Sequence, residues 1–434
     1  MNDAKVGWVR RLVHAVRGGP GDDSPQPGRL IWPRKEDTWR EYPADGLTPS
    51  RLAQILRAAD EGDVETALQL YEQMEEKDAH LFSVAQTRRL GLTGLPWEVV
   101  SAVEVHRGVD KVAADEAADY CRERLAALKG LEEALRHLAL AIGRNVAVAE
   151  IVWEVMGGEH EVVDMVPVDF GRITMDEVDR IRILTREEPY EGVLPPPNKF
   201  IINTPHSVSG HPMRGGLLRV SALAYLGKHF AMKDWLVFAE IFGMPIRIAR
   251  YDASASAEEK RELLGMLRDL GSAAAGIFSK AVELEIKEVS QGPLGGPPYQ
   301  AICNFFNREL SKAWLGQTLT TDTAEMTGTH AAAVVHEHVR VDIQEDDIRN
   351  EGRTIRRDLL GPMTRVAFGA SMPVPYFRRV FNANRDPGKV AEVMATAVNE
   401  LGVRVSARWA HDTLGIPIAS ESEAVLPGRN DRAV

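Results

Sequence analysis

The stretch 217–242 constrains the fold most. Gly215-Gly216 opens it, Gly243-Met244-Pro245 closes it, and Leu217, Leu218, Val220, Leu223, Leu226, Phe230, Trp235, Phe238 and Ile241 recur through it at helical spacing. A helix of that length spans on the order of 40 Å. Its apolar positions lie nearly all round, and such a helix is buried, either inside its own subunit or between subunits. No run in the chain approaches the ~18 apolar residues of a membrane span.

Around that helix the hydrophobic period switches repeatedly. Residues 1–46 read as a flexible arm, because the Gly-, Pro- and Asp-rich part from Gly18 onward buries too little apolar surface to offset its ordering entropy. Thr48 caps a helix and Pro49 suits its first turn, with Leu52, Ile55, Leu56 and Ala59 on one face. A second helix carries Val64, Ala67, Leu68, Tyr71 and Met74. A third starts near Asp78 and ends at Gly91, where Arg88-Arg89 in the last turn complement the helix dipole. Residues 97–103 read as a strand, 110–142 as a helix burying Leu131, Leu135, Leu138 and Ile142, and 146–155 as a strand by its two-residue period. Prolines and short β-like pieces make 160–214 a small β-rich insertion. After the long helix come a strand at 246–249, a helix at 257–270 and a strand in which Val282, Leu284 and Ile286 alternate with charges. A Pro/Gly loop, 291–298, leads to a helix holding Ile302, Phe305, Phe306, Leu310 and Trp314. Residues 318–335 are Thr-, Ala- and Gly-rich, helices resume at 342–360 and 387–401, and 426–434 reads as a disordered tail. The fold class is α+β, mainly helical, with no internal repeat.

The 434 residues allow two or three domains, and 44% hydrophobic with 26% charged residues is an ordinary globular mix. Lysine and arginine number 52 against 63 acids, a net charge of −11. That argues against a surface gripping phosphates throughout, and does not exclude a channel through which DNA slides without sticking. Cys121 and Cys303 make neither a disulfide framework nor a CxxC site, which fits a reducing compartment. Arg10, Arg11 and Arg17 interrupt the apolar N-terminus, so it lacks the centre of a signal peptide.

Catalytic signatures are absent in turn. There is no P-loop and no dinucleotide fingerprint, and Ser207-Val208-Ser209-Gly210 lacks the leading glycine of a nucleophile elbow. His336-Glu337-His338 would share a face on a strand and diverge on a helix, and no third zinc ligand lies at suitable spacing. Asp342, Glu345, Asp346 and Asp347 either hold magnesium, as nuclease carboxylates do, or sit at a helix N-terminus favoured by the dipole. Cys121, beside Arg122 and Arg124 without a histidine, reads as a packed thiol. No catalytic residue, metal or cofactor is assigned, and the pattern points away from an enzyme.

Asp78-Ala79-His80-Leu81, Gln86-Thr87-Arg88-Arg89-Leu90 and Gly94-Leu95-Pro96-Trp97-Glu98-Val99 resemble the opening of the portal proteins of Mu-like tailed bacteriophages. The resemblance continues at Gly215-Gly216-Leu217-Leu218-Arg219, at Lys233-Asp234-Trp235-Leu236-Val237-Phe238-Ala239-Glu240-Ile241-Phe242-Gly243-Met244-Pro245, and from Phe306-Asn307 to Leu315-Gly316-Gln317-Thr318-Leu319-Thr320. No motif is diagnostic alone; their order and spacing are specific, and they span roughly 45–425.

This resemblance implies a portal fold with wing, stem, clip and crown, in a non-enzymatic ring of about twelve subunits at one capsid vertex. Double-stranded DNA would be packaged and ejected through it. The implied partners are the chain itself, DNA without sequence specificity, the major capsid protein, the terminase and the head-tail adaptor, with no membrane and no cofactor. The implied place is the virion, after assembly in the host cytoplasm. On that plan 1–46 is the arm, 47–159 and 245–384 the two parts of the wing, 160–214 the clip, 215–244 the stem helix, 385–425 the crown-like region and 426–434 the tail. Within 318–335, Thr320, Thr321, Thr323, Met326, Thr327, Thr329 and His330 are candidates for a tunnel loop. Arg340, Arg349, Arg353 and Arg356, with Arg357, are candidates to face DNA, the alternative being a solvated helix face. Leu223, Leu226, Phe230, Trp235 and Phe238 are candidates for the stem and subunit interface. Two other readings stand beside this one. A nucleic-acid-processing enzyme built on the 342–347 carboxylates or the histidine pair would cleave DNA with divalent metal. Another capsid or adaptor protein would assemble into shells or tubes.

Overall fold

Thr48 and Pro49 start the first helix as their chemistry dictates. The Thr48 hydroxyl accepts the Arg51 amide at 3.2 Å and Pro49 occupies the first turn, so α1 runs Pro49–Asp60. The computed structural model describes residues 24–31, 44–205, 211–242, 246–250, 256–269, 283–287, 298–318, 330–381, 387–416 and 418. After α1 come α2 (Glu65–Lys77) and α3 (Ala79–Thr93), the latter capped by the Asp78 carboxylate, which accepts the His80 and Leu81 amides at 3.0 Å each. Because α3 continues to Thr93, Arg88 and Arg89 lie before its last turn. They do not serve the dipole: Arg88 forks onto Asp347 at 2.9 and 3.0 Å, and Arg89 pairs with Glu75.

The strand expected at 97–103 is shorter, β1 (Trp97–Val100), followed by a 3-10 turn at Ala102–Glu104. The helix expected over 110–142 is three: α4 (Lys111–Ala127), α5 (Leu131–Leu138) and α6 (Ala141–Arg144). Leu128 turns into extended backbone (φ −75°, ψ 117°), and the break lets both Leu128 and Leu131 be buried.

The strands β2 (Ala147–Met156) and β3 (Glu159–Pro167), the hairpin β4 (Ile173–Met175)–β5 (Ile181–Ile183), and β6 (Phe200–Asn203) come next. The order β3-β2-β6 puts β2 in the middle, antiparallel to both neighbours and buried from Ala147 to Trp153. So 160–214 is not a self-contained insertion. Two of its strands take their partner from outside it, and Met165, Phe200 and Ile201 belong to the same core as α5 and β2.

The arm also departs from expectation. Residues 24–31 lie against β2, where the Gly28 amide donates to the Trp153 carbonyl at 2.7 Å. A buried ion pair, Lys199 Nζ to Glu150 Oε1 at 3.1 Å, holds this strap by its main chain. Lys199 donates to the carbonyls of Gln26 (3.3 Å) and Gly28, and Glu150 accepts the amides of Leu30 and Ile31 (2.9 Å to Ile31). Composition suggested a loose arm because these contacts are made by backbone, which composition does not encode. Desolvation pulls the Lys199 ammonium below its ordinary pKa, and Glu150 opposes that.

The long apolar helix runs as read, α7 (Leu217–Phe242). Next come β7 (Ile246–Arg250), α8 (Ala257–Asp269) and β8 (Glu283–Lys287), with β7 and β8 paired antiparallel, and then α9 (Pro298–Leu315). Helices α7 and α9 lie antiparallel along their length. Trp314 Nε1 donates to Ser221 Oγ at 3.0 Å at one end, and the Phe238 and Tyr299 rings sit 5.9 Å apart at the other. The β7-α8-β8 segment therefore connects the two helices at one end of the pair. Asp78 ties α7 to α3, since its carboxylate also receives Lys228 Nζ at 2.7 Å.

The next helix starts at His330, earlier than expected, and α10 runs His330–Ile355. A π-turn, Arg356–Leu360, carries the chain into α11 (Gly361–Phe368), and β9 (Tyr376–Arg379) pairs with β1. The described chain divides into a larger unit and a small one made of 95–97 with 379–434. In the small unit Arg379 Nη1 donates to the Leu95 carbonyl at 2.8 Å, and α12 (Pro387–Asn399) packs with α13 (Ala407–Leu414).

Candidate functional site

Two surfaces of the larger unit gather the residues singled out in the sequence. The first is the outer side of the α7/α9 pair. One face of α7 is packed within the chain, with Leu218, Ala222, Tyr225 and Leu226 at most 4% exposed. Leu226 thus packs within its own subunit, as a core position of the helix. Away from that stripe Val220 is 65% and Leu223 70% exposed, with Phe230 less so, while Leu236, five turns beyond Leu218 on the same side of the helix, is 71% exposed near its far end. Phe305 of α9 adds a ring that is 56% exposed. Trp235 and Phe238 are half-buried. The all-round apolar character therefore divides, over the first half of α7, into a side covered by this chain and a side it leaves uncovered, and further apolar side chains stand open toward its far end.

The second surface is a cleft of about 650 Å³ beside α10 and β9. Arg349, Arg353, Arg356, Arg357, Arg365 and Arg378 all line it, and among the described residues no acidic side chain does. Spacings of four, three and one residues along α10 and the π-turn put the first four on one side of the helix. Gly352 lets the helix approach the strand: a Cβ there would stand 2.9 Å from the Phe377 carbonyl oxygen. The Arg356 guanidinium lies over the Tyr376 ring at 4.0 Å and donates to the Val374 carbonyl at 3.3 Å. Arg357 holds Asp358 at 2.6 Å and the Ile202 carbonyl at 2.7 Å, and the Asp358 bond raises its pKa further. At the rim, Arg365 reaches Asn198 Oδ1 at 3.3 Å, Arg349 faces Asp346 at 3.6 Å and Arg378 faces Glu98 at 3.8 Å. The floor is apolar, from Ile348, Val374 and Phe377.

Of the arginines proposed to face DNA, the cleft brings together Arg349, Arg353 and Arg356, while Arg340 is exposed on α10 and does not line it. Arg365 and Arg378 were missed, since each comes from a separate element. The tunnel-loop candidates Thr320, Thr321, Thr323, Met326, Thr327 and Thr329 lie outside the described residues, and His330 is the first residue of α10.

The 342–347 carboxylates sit mid-helix, not at an N-terminus, because α10 begins at His330. Asp347 is taken by Arg88 and Asp346 by Asn350 at 3.1 Å. Positions 336 and 338 fall on the same helix, about 200° apart round its axis. Among the described residues no group of three or more His, Cys, Asp or Glu side chains is placed to hold a metal ion. No helix among them is long and apolar enough to cross a membrane. Cys121 is buried against Thr364, and desolvation pushes its thiol up to about 11.

Residues 68–416 match the family described as the portal protein of Mu bacteriophage. The chain is 29% identical over 393 residues to the Mu-like prophage FluMu protein gp29 of Haemophilus influenzae, covering 89% of this chain and 74% of that protein. It is 28% identical over 389 residues to the portal protein of Escherichia phage Mu, with the same coverages. Its fold is similar to a chain in the neck of an empty GTA particle, with a TM-score of 0.53 and 11% identity over 94% of this chain and 99% of that one. A chain in the virion of the native gene transfer agent (GTA) particle gives a TM-score of 0.50 and 11% identity, over 95% and 99%.

Proposed function

The chain belongs to the family of Mu bacteriophage portal proteins, and from that premise we propose that it forms a closed ring at one capsid vertex, through which double-stranded DNA passes in packaging and ejection. It is a structural protein and not an enzyme. The observation that carries the ring is the apolar face of the α7/α9 pair that its own subunit leaves open. Covering each such side chain contributes about 1.5–3 kcal/mol, and a patch of this kind marks an interaction surface. In a ring the neighbour presents a different surface of the same chain to it.

The stem in this reading is the antiparallel pair α7 and α9, rather than α7 alone. The segment with β7, α8 and β8 joins their ends and takes the place of the clip, a role first given to 160–214. The sheet β3-β2-β6, α1 to α6, α10 and α11 make the wing, and the small unit with α12 and α13 the crown. Residues 318–335, between α9 and α10, keep their candidacy as tunnel loop. The terminase, the head-tail adaptor and the major capsid protein are the proposed partners, and the host cytoplasm the proposed site of assembly. A net charge of −11 fits DNA passing without a firm grip.

Sedimentation velocity of the full chain beside a Leu223→Asp, Leu236→Asp variant tests the interface. The expected result is rings from the unmutated chain and folded monomers from the variant. Rings of equal stability from both would contradict it.

A further inference from the structure

The arginine cleft is built for a ligand that is both anionic and apolar. Six guanidinium groups surround a floor of Ile348, Val374 and Phe377. A duplex backbone offers phosphates that stay hydrated and nothing to cover such a floor, whereas a peptide carrying carboxylates beside an aromatic ring meets both demands. A volume of about 650 Å³ admits such a group.

The same chain carries a segment of that chemistry. The loop 184–192 is closed at its base by two main-chain bonds between Ile183 and Val193, at 2.9 and 2.8 Å. Glu188 bonds Thr185 within it, through amide to hydroxyl at 3.1 Å, and Arg182 donates to the carbonyls of Glu191 and Gly192 at 2.7 Å each. The loop is thus ordered before it meets anything, which lowers the entropic cost of docking. At its tip Tyr190 is 90% exposed, flanked by exposed Glu187, Glu188 and Glu191, with Arg186 a cation in the run. Glu61 and Glu177 line a concavity together with Tyr190 and extend the acidic surface. Arg180 in that concavity is engaged by Asp176 at 2.7 Å.

We propose that the Glu187-Glu188-Pro189-Tyr190-Glu191 loop of one copy docks in the arginine cleft of the next copy round the ring, Tyr190 on the apolar floor and the carboxylates against the arginine rim. The inference rests on the ring reading and deepens it. A ring contact joins two different patches of one chain, and these two are complementary in charge and in apolar content.

A charge swap in the full-length chain tests it, with assembly followed by mass photometry against protein concentration. Arg349→Glu with Arg353→Glu, and separately Glu187→Arg with Glu188→Arg, each raise the concentration for half-assembly at least roughly tenfold, and the four changes together restore it to within about threefold. A photocrosslinking residue in place of Tyr190 provides a second readout, and crosslinks to 348–378 of a neighbouring copy are expected. Unaltered assembly in either double variant, a quadruple variant no better than the two effects added, or crosslinks confined to other regions would overturn the contact. So would a cleft variant that assembles normally but loses affinity for a DNA duplex, which would give the cleft to DNA. Rings absent from the unmutated chain would overturn the ring reading, and this contact with it.

Discussion

His137 makes the chain acid-sensitive over a defined window. Its imidazole lies on α5, 5.1 Å from the Phe170 ring, and the Arg144 guanidinium stands over that same ring at 4.6 Å. Burial and then the Arg144 charge disfavour the imidazolium, against weaker opposition from the Val168 main chain, and lower the pKa from 6.5 to about 4. Between those values the unfolded chain binds the proton and the folded chain does not, so stability is full above 6.5 and falls as the pH drops toward 4. At about 1.4 kcal/mol per pH unit, roughly 2 kcal/mol is lost between pH 7.5 and pH 5. His137→Phe keeps a ring beside Phe170 and removes the proton site, and its packing cost is the same at both pH values. Urea unfolding followed by tryptophan fluorescence, at one protein concentration, gives the stability of each protein at pH 7.5 and pH 5. The unmutated chain should lose about 2 kcal/mol more than the variant across that interval. Equal losses in the two proteins would refute the reasoning.

Other substitutions probe the frame. Asp347→Ala strands Arg88, whose side chain is only 11% exposed, and should cost about 3 kcal/mol by urea unfolding. Gly216→Ala places a methyl over the Gly143 carbonyl and 2.9 Å from the Arg144 carbonyl carbon, backbone that cannot step aside, and should lower stability by about 1–3 kcal/mol. The three atoms nearest a methyl in Gly227→Ala all belong to the Phe306 ring, its Cζ closest and its Cε atoms at 2.8 and 3.0 Å, so the double variant with Phe306→Leu should recover what the single one loses. With Cys121 and Cys303 both buried and the Cys121 pKa near 11, neither thiol should react with Ellman's reagent at pH 8 until urea unfolds the chain.

Much of the helical plan is legible in the sequence because its signals are local. Thr48-Pro49 and Asp78 are capping chemistry, and paired glycines with a proline bracket α7 to the residue. What stays hidden is set by partners distant along the chain. Nothing near Arg88 announces Asp347, and nothing in 160–203 announces that β2 is its sheet partner. The strap at 24–31 is fixed through its carbonyls and amides, which any sequence supplies. The arginine cleft was legible in part. Helical spacing groups Arg349, Arg353, Arg356 and Arg357, but Arg365 and Arg378 join them only through the π-turn and the return of β9. The interface face of α7 was half legible: the pattern marks every apolar position and leaves open which side α9, α6 and α2 cover.

Electron microscopy of the purified full-length chain, with the particle mass measured on the same sample, tests the central claim most directly. The account predicts closed rings with a central hole and a mass of about twelve subunits. A monodisperse monomer or dimer, unchanged by protein concentration or salt, would contradict it.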